Sequence, residues 1–383
     1  MGGVTTTTPG TPTPRAPALG TTPGTTRRTT LRTTLRTTTA RTRDGSMDAW
    51  LDRWFEPWAQ ALRTGLAEGR SDPPLWQPTS RLAALRHPTA SYEAVVVAAV
   101  DGEQVLGGAR VMLPMRDNLT LAELELAVPA EHRRRGVASA VLQAVRAEAA
   151  AAGRTSMMTE VDVPLEHVHQ GTRAEHAEQW PGVAFARAAG MTMRLGDVRR
   201  ELRVPMPAAL AGDLHAQVAR AGDHYRLRSW EGFTAPADLD AVALLAARMS
   251  VDPPQGDLEF EPEVWDAARV RDDEEGTRTR DMRWWTALAE TATGEPAGFT
   301  QLLLSNSDPH LAWQCATLVV PEHRGHRLGL ALKLRCLEAM VVAEPAVRVV
   351  TTWNAESNGP MIAVNEAMGY RPVEVTQEWQ GPV

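Results

Sequence analysis

The chain has two cysteines in 383 residues, Cys315 and Cys336. Two thiols without metal-ligand spacing exclude a disulfide framework, and they fit a reducing, cytoplasmic setting in which a buried thiol behaves as a small hydrophobe. Long apolar runs are also missing. Nothing approaches the ~18 consecutive apolar residues of a membrane span, and no apolar stretch follows the basic residues at the N-terminus, so neither a membrane partner nor a leader is expected. Excess positive charge is absent too: the net charge is −7, with 40 Lys+Arg against 47 Asp+Glu. Arginine outnumbers acid in residues 1–46, so the remainder is more acidic than the whole. Such a body argues against a nucleic-acid backbone as partner and favours a cationic partner or substrate.

What is there suffices for two cores, because 383 residues with 43% hydrophobic content exceed the usual single domain. Residues 1–46 are rich in Thr, Pro, Gly and Arg and read as a disordered tail. The basic tail can in principle touch nucleic acid, but the simpler expectation is that translation begins at Met47. From Asp48 a helix carries Trp50, Trp54, Trp58 and Leu62 on one face, and Pro57 is expected to bend or break it. Strand patterns at 91–100 and 104–115, joined by Asp101-Gly102, read as a hairpin. A second α/β unit repeats this order from about residue 224. The expected division is an N-terminal domain at 47–205, a helical linker at 206–223 and a C-terminal domain at 224–383.

The feature that points furthest is a strand, a tight basic turn and a helix in immediate succession. In the second half the apolar run Leu318-Val319-Val320-Pro321 leads into Glu322-His323-Arg324-Gly325-His326-Arg327-Leu328-Gly329-Leu330-Ala331, and an amphipathic helix follows. In the first half Leu124-Glu125-Leu126-Ala127-Val128-Pro129 leads into Glu131-His132-Arg133-Arg134-Arg135-Gly136-Val137-Ala138, and an Ala-rich helix runs on from Ser139. Such a turn aims backbone N–H groups and the positive end of a helix dipole at one point, which suits a phosphate or pyrophosphate.

These residues resemble the GNAT acetyltransferase superfamily, whose acyl-CoA loop reads Gln/Arg-x-x-Gly-x-Gly/Ala. Arg133, Gly136 and Ala138 fill its three positions in the first half. Arg324 and Gly329 match in the second, where Arg327 replaces Gly, a change that is tolerable if its φ is negative. A downstream segment from Thr352 through Asn354, Glu356 and Asn358 to Gly369-Tyr370 resembles the family's closing strand–helix signature, and it is also similar to tandem proteins of the mycothiol synthase-like kind. The resemblance implies two tandem domains of the α/β class, each a mixed, mostly antiparallel central sheet flanked by helices. It implies acetyl-CoA or another acyl-CoA as donor, no metal, and a primary amine of a small molecule or peptide as acceptor. Oligomeric state is open.

By that resemblance the donor contacts are Val128, Arg133, Arg134, Arg135, Gly136, Val137, Ala138 and Ser139 in the first half. In the second they are Leu318, Val319, Val320, Arg324, Gly325, His326, Arg327, Leu328, Gly329, Leu330, Asn354 and Asn358. Backbone N–H groups near Val128 and Val319 are expected to polarise the thioester carbonyl. The family's tyrosine acid is missing, since only Tyr92, Tyr225 and Tyr370 exist and Asn365 stands in its place. Asn365 then holds a water or the sulfur, or merely packs. As bases, Glu123 and Glu125 lie on the first half's central strand, Gln314 replaces them in the second, and Glu356 is a further candidate. Turnover is expected in the second half, with the first binding acyl-CoA or only scaffolding. A non-catalytic acyl-CoA-binding module and amide synthesis in a thiol-cofactor pathway remain as alternatives.

Three other groupings read as ordinary structure. His167, His169 and His176 with Glu166 and Glu175 lack spacing that would fix metal ligands on one helix face. Asp272-Asp273-Glu274-Glu275 reads as a solvated acidic turn, and Trp265, Trp284, Trp285 and Trp313 read as core.

Overall fold

The computed structural model describes residues 35–168, 179–219 and 224–383. In the first half, β1 (Arg36–Arg41), α1 (Met47–Ala67) and α2 (Pro78–Arg86) precede the strands β2 (Tyr92–Asp101), β3 (Gln104–Pro114) and β4 (Leu121–Ala127). Helix α3 (Val137–Ala151), β5 (Ser156–Pro164), α4 (Pro181–Ala188) and β6 (Thr192–Arg203) follow, and α5 (Ala208–Ala219) leads to the second half. There the order is β7 (Tyr225–Glu231), α6 (Leu239–Met249), α7 (Ala267–Thr279), β8 (Met282–Thr291), β9 (Pro296–Ser305) and β10 (Asp308–Val319). Helix α8 (Leu328–Ala343), β11 (Val349–Ala355), α9 (Gly359–Met368) and β12 (Arg371–Pro382) close the chain.

Both halves contribute to one 12-stranded sheet of order β1-β2-β3-β4-β5-β12-β6-β11-β10-β9-β8-β7. Its pairs are antiparallel except β4 with β5 and β10 with β11. The last strand of each half has crossed over. Strand β12 lies between β5 and β6, with Glu378 opposite Glu160 and Thr376 opposite Asp197. Strand β6 lies between β12 and β11, with Asp197 opposite Ala355. Residues 192–203 of the first half therefore stand beside the second half's strand β11.

Strand β2 shows why helices cover both faces: Val95, Val97 and Ala99 enter the core under α3, whereas Val96, Ala98 and Val100 enter the core under α1. Alternate residues point to opposite faces, so a continuous apolar run needs two covers. The tryptophan stripe of α1 is core as expected, and Trp58 Nε1 donates to the Val97 carbonyl at 3.0 Å. Gly108 permits that approach, because a Cβ there would sit 2.5 Å from the Trp58 ring. Pro57 does not break α1, which runs unbroken from Met47 to Ala67.

Two further expectations change. The tail is not without structure up to residue 46: Arg36–Arg41 pairs along β2, Ala40 is buried, and the Arg41 guanidinium grips Glu93 at 2.9 and 3.0 Å. Its threonines are β-branched and suit an edge strand despite their polarity. A chain starting at Met47 would leave β2 as an open edge. The rest of the tail, residues 1–34, lies outside the described residues. The acid run 272–275 is not a solvated turn but part of α7. Asp272 accepts from the backbone N–H of Ala90 at 3.0 Å, and buried Glu274 accepts from that of Thr234 at 2.8 Å.

Candidate functional site

The two basic turns have the same backbone. Each begins with a short 3-10 turn, at Ala130–His132 and at Pro321–His323. Each then folds its arginine back, with Arg133 Nε donating to the Val128 carbonyl at 2.9 Å and Arg324 Nε to the Val319 carbonyl at 3.1 Å. Two left-handed residues follow in each. In the first half they are Arg134 (φ 60°) and Gly136 (φ 83°); in the second, Gly325 (φ 84°) and Arg327 (φ 57°). Each turn thus spends glycine on one position and arginine on the other. The negative φ that would make a side chain at Arg327 costless is not adopted: the residue takes a conformation that favours glycine, at a strain of about 1 kcal/mol.

No side chain caps α3 or α8. The first intrahelical bonds run from Ala140 to Gly136 and from Ala331 to Arg327. The N–H groups of Val137, Ala138 and Ser139, and those of Leu328, Gly329 and Leu330, therefore lack intrahelical acceptors and carry the helix's positive end. Val137, Leu328 and Leu330 anchor the turns in the cores, while Arg134, Arg135, Gly136, Gly325, His326 and Arg327 are exposed. His326 lies edge-on to Tyr225, whose hydroxyl sits 3.1 Å from His323 Nδ1.

Beyond the turns the halves diverge. Strands β10 and β11 pair only from Leu311–Trp313 to Val349–Thr351, and a register shift between Gln314 and Thr317 against β9 marks a bulge in β10. The bulge changes which face each residue meets: Ala312 packs towards α8, whereas Ala316 and Leu318 pack towards α6. The separated strands leave a cavity of about 140 Å³, lined by Cys315, Thr317, Thr352, Trp353, Asn354 and Asn358, with Lys333 of α8, Asp197 of β6 and Pro253 also on its wall. In the first half, β4 pairs with β5 from Leu121 to Leu124, and β4 runs against β3 without a bulge. A cavity of about 150 Å³ near Tyr92, Trp265 and Arg269 contains no residue of either turn.

The structure separates the candidate catalytic residues. Asn354 and Asn358 meet at the C-terminal cavity. Asn358 caps α9, accepting from the Met361 N–H at 3.3 Å. Asn365 is fully buried, donates its amide to Asn354 Oδ1, and leaves its own Oδ1 without a partner. Glu356 is exposed beside the cavity. Glu123 and Glu125 lie far from it, on β4. Half-buried Glu125 is held in an ion pair with buried Arg81 at 2.5 and 2.7 Å, and Arg110 lies 3.4 Å away. Burial alone would push its carboxyl up, but the two guanidinia prevail and hold it at about 2. Burial raises Glu123 to about 7 against the pull of Arg110.

Three carboxylates that sequence reasoning passed over form a connected row. Burial, then Glu356, lifts Asp197 to about 6. Burial and Asp197 lift Glu378 to about 7, and burial, Asp162 and Glu378 lift Glu160 to about 8. One Asp197 oxygen is enclosed without a hydrogen bond. Lys333 was missed as well, although the sequence carried a signal for it: it is the chain's only lysine. Burial lowers its amine to about 7.

The cysteines also differ from one another. Cys336 is core, but Cys315 is exposed to the cavity, where burial among protein atoms, followed by Asp273, pushes its thiol up to about 12. Trp284 and Trp285 are core, whereas Trp313 stacks on Trp76 of the first half at 6.3 Å and Trp265 lies under the Arg269 guanidinium. His169, Glu175 and His176 lie outside the described residues, and His167 packs against Trp180. Among the described residues no group of His, Cys, Asp and Glu is placed to hold a metal, and no helix is long and apolar enough to cross a membrane.

The sequence profile of the acetyltransferase (GNAT) family matches residues 49–170 and 253–370. The chain belongs to that family and carries its unit twice. A tandem GNAT protein from the clavulanic acid biosynthesis pathway is similar at 28% identity and a TM-score of 0.68, over 91% of this chain and 98% of that one. A GCN5-related N-acetyltransferase from Sphaerobacter thermophilus shares the fold at 13% identity and a TM-score of 0.57, over 85% of this chain and 92% of its own. Among curated protein sequences none matches.

Proposed function

We propose that the chain moves an acetyl or other acyl group from acyl-CoA to a primary amine, and that turnover belongs to the C-terminal half. The carrying observation is the coincidence of an uncapped helix start, α8, with a bulged strand that has parted from its neighbour over a lined cavity. The donor's pyrophosphate would meet the N–H groups of 328–330, as the first half's turn would allow at 137–139. Asn354 and Asn358 would flank the pantetheine arm. The part of β10 facing the gap supplies backbone donors for the developing oxyanion.

Transfer by direct attack needs the acceptor amine without its proton. Strand β10 offers only Gln314 at the corresponding place. Asp197, delivered by the exchanged strand β6, is the carboxylate on the cavity wall, and at about 6 it accepts a proton at neutral pH. Asp197, ionised at neutral pH, makes this wall of the cleft attractive to a protonated amine. We therefore favour a cationic small-molecule or peptide acceptor.

Isothermal titration of acetyl-CoA, followed by thiol release with a panel of amines, tests the reading. Expected are binding that Gly329→Glu eliminates from the C-terminal half and amine-dependent thiol release. Binding without thiol release for any amine would instead leave a non-catalytic acyl-CoA module, and the absence of any binding would sink the proposal.

A further inference from the structure

Lys333, the sole lysine of the chain, is 1% exposed yet lines the cavity where β10 and β11 part. It stands in the second turn of α8, five residues beyond Leu328 at the helix start. Helical side chains lean towards the N-terminus, so the long stem carries its amine back towards the basic turn. Among the described residues no ion pair or hydrogen bond engages Nζ; the Tyr370 ring lies beneath it at 5.1 Å.

The surrounding groups do not supply a counter-charge. Cys336 on the same helix and Cys315 on β10 are both pushed by burial to about 12, and the Tyr370 hydroxyl is pushed upward as well. Asp197 on β6 also lines this cavity, but it is not among the groups that shift the Lys333 amine. Burial, only partly opposed by Cys336, holds the Lys333 amine at about 7, so a large fraction is uncharged and nucleophilic at neutral pH.

We propose that Lys333 is a self-acylation site, whose ε-amine takes the acyl group from acyl-CoA bound in its own half. This rests on the acyl-CoA reading above. In the step, the Nζ lone pair attacks the thioester carbonyl carbon, the C–N bond forms and the C–S bond breaks. The proton lost from nitrogen goes to the departing thiolate, leaving CoA thiol and an N-acyl-lysine. No further reactant is required. A thioester held beside a desolvated amine reacts as an intramolecular pair. The product is a stable neutral amide on the cavity wall, and the first half's turn takes no part in forming it.

The full chain is incubated with acetyl-CoA, treated with hydroxylamine to remove thioesters, and examined by intact-mass and peptide mass spectrometry, with calorimetry of acetyl-CoA binding alongside. One hydroxylamine-stable acetyl group on Lys333 is expected, forming faster as pH rises through about 7. It should be absent from Lys333→Arg and from Gly329→Glu. A label only at the N-terminal amine, or one on Lys333 that Gly329→Glu leaves undiminished, overturns the proposal. So does an unlabelled chain that calorimetry shows to bind acetyl-CoA in the C-terminal half, and in that case the donor reading survives. If calorimetry finds no binding, the donor reading falls and the proposal with it.

Discussion

The two strand–turn–helix units share a backbone and part company one strand later. Both fold an arginine onto the preceding strand's carbonyl and present an uncapped helix start. Only the second continues into a bulged strand with a cavity at its separation from the next. The first places at the corresponding depth a glutamate clamped by two arginines. The same turn thus stands in front of two different interiors, an open cavity in one half and a clamped carboxylate in the other.

The widest separation between the halves should come from their glycines. Gly329→Glu places a carboxylate where N–H groups of the helix start converge, and Gly329 has room for a Cβ, with a Val319 methyl at 3.7 Å. We expect loss of thiol release and of one acetyl-CoA site by calorimetry. Gly136→Glu should leave turnover intact; if it instead abolishes turnover, the assignment of the halves is reversed.

The carboxylates give the next contrast. Asp197→Asn should reduce thiol release about 100-fold, in the range typical of removing a general base. The wild-type rate should rise with pH through about 6 as Asp197 loses its proton, and the variant should lose that rise. Glu125→Gln should spare the rate and lower stability by about 3 kcal/mol, because it strands the Arg81 and Arg110 charges in the sheet. Denaturant unfolding measures the loss, and an unchanged midpoint would show that the clamp is not structural.

The smallest effect concerns the left-handed positions. Arg327→Gly and Arg134→Gly should each stabilise the chain by about 1 kcal/mol by relieving strain at positive φ. Arg327→Gly should at the same time weaken acetyl-CoA binding by removing a cation, and calorimetry in low and high salt separates the two effects.

Much of the architecture was legible because its signals are local. Apolar periodicity, Asp101-Gly102 and the Pro-to-Gly basic turns lie within a few residues of one another, and they mark strands, a hairpin and helix starts. The exchange of β6 and β12 was not legible. Strand partners are chosen by packing across the whole sheet, and nothing in residues 192–203 says which neighbour they take. Asp197 was therefore counted with the first half although it lines the second half's cavity, and the second half's central strand offered Gln314 and no carboxylate. Residues 36–41 were misread for another reason: composition marks a polar tail, while pairing to β2 depends on backbone and on β-branched threonine. Lys333 was hidden among apolar helix positions, although a simple census of lysines would have singled it out.

The interleaved ends of the sheet also set the order in which the molecule can be completed on the ribosome. The slot between β5 and β6 receives residues 371–382, so the opening half stays unfinished until those residues have been made. Neither half is an inheritance that can be cut away and kept. A nascent chain of this kind must shelter a bare strand edge for most of its synthesis.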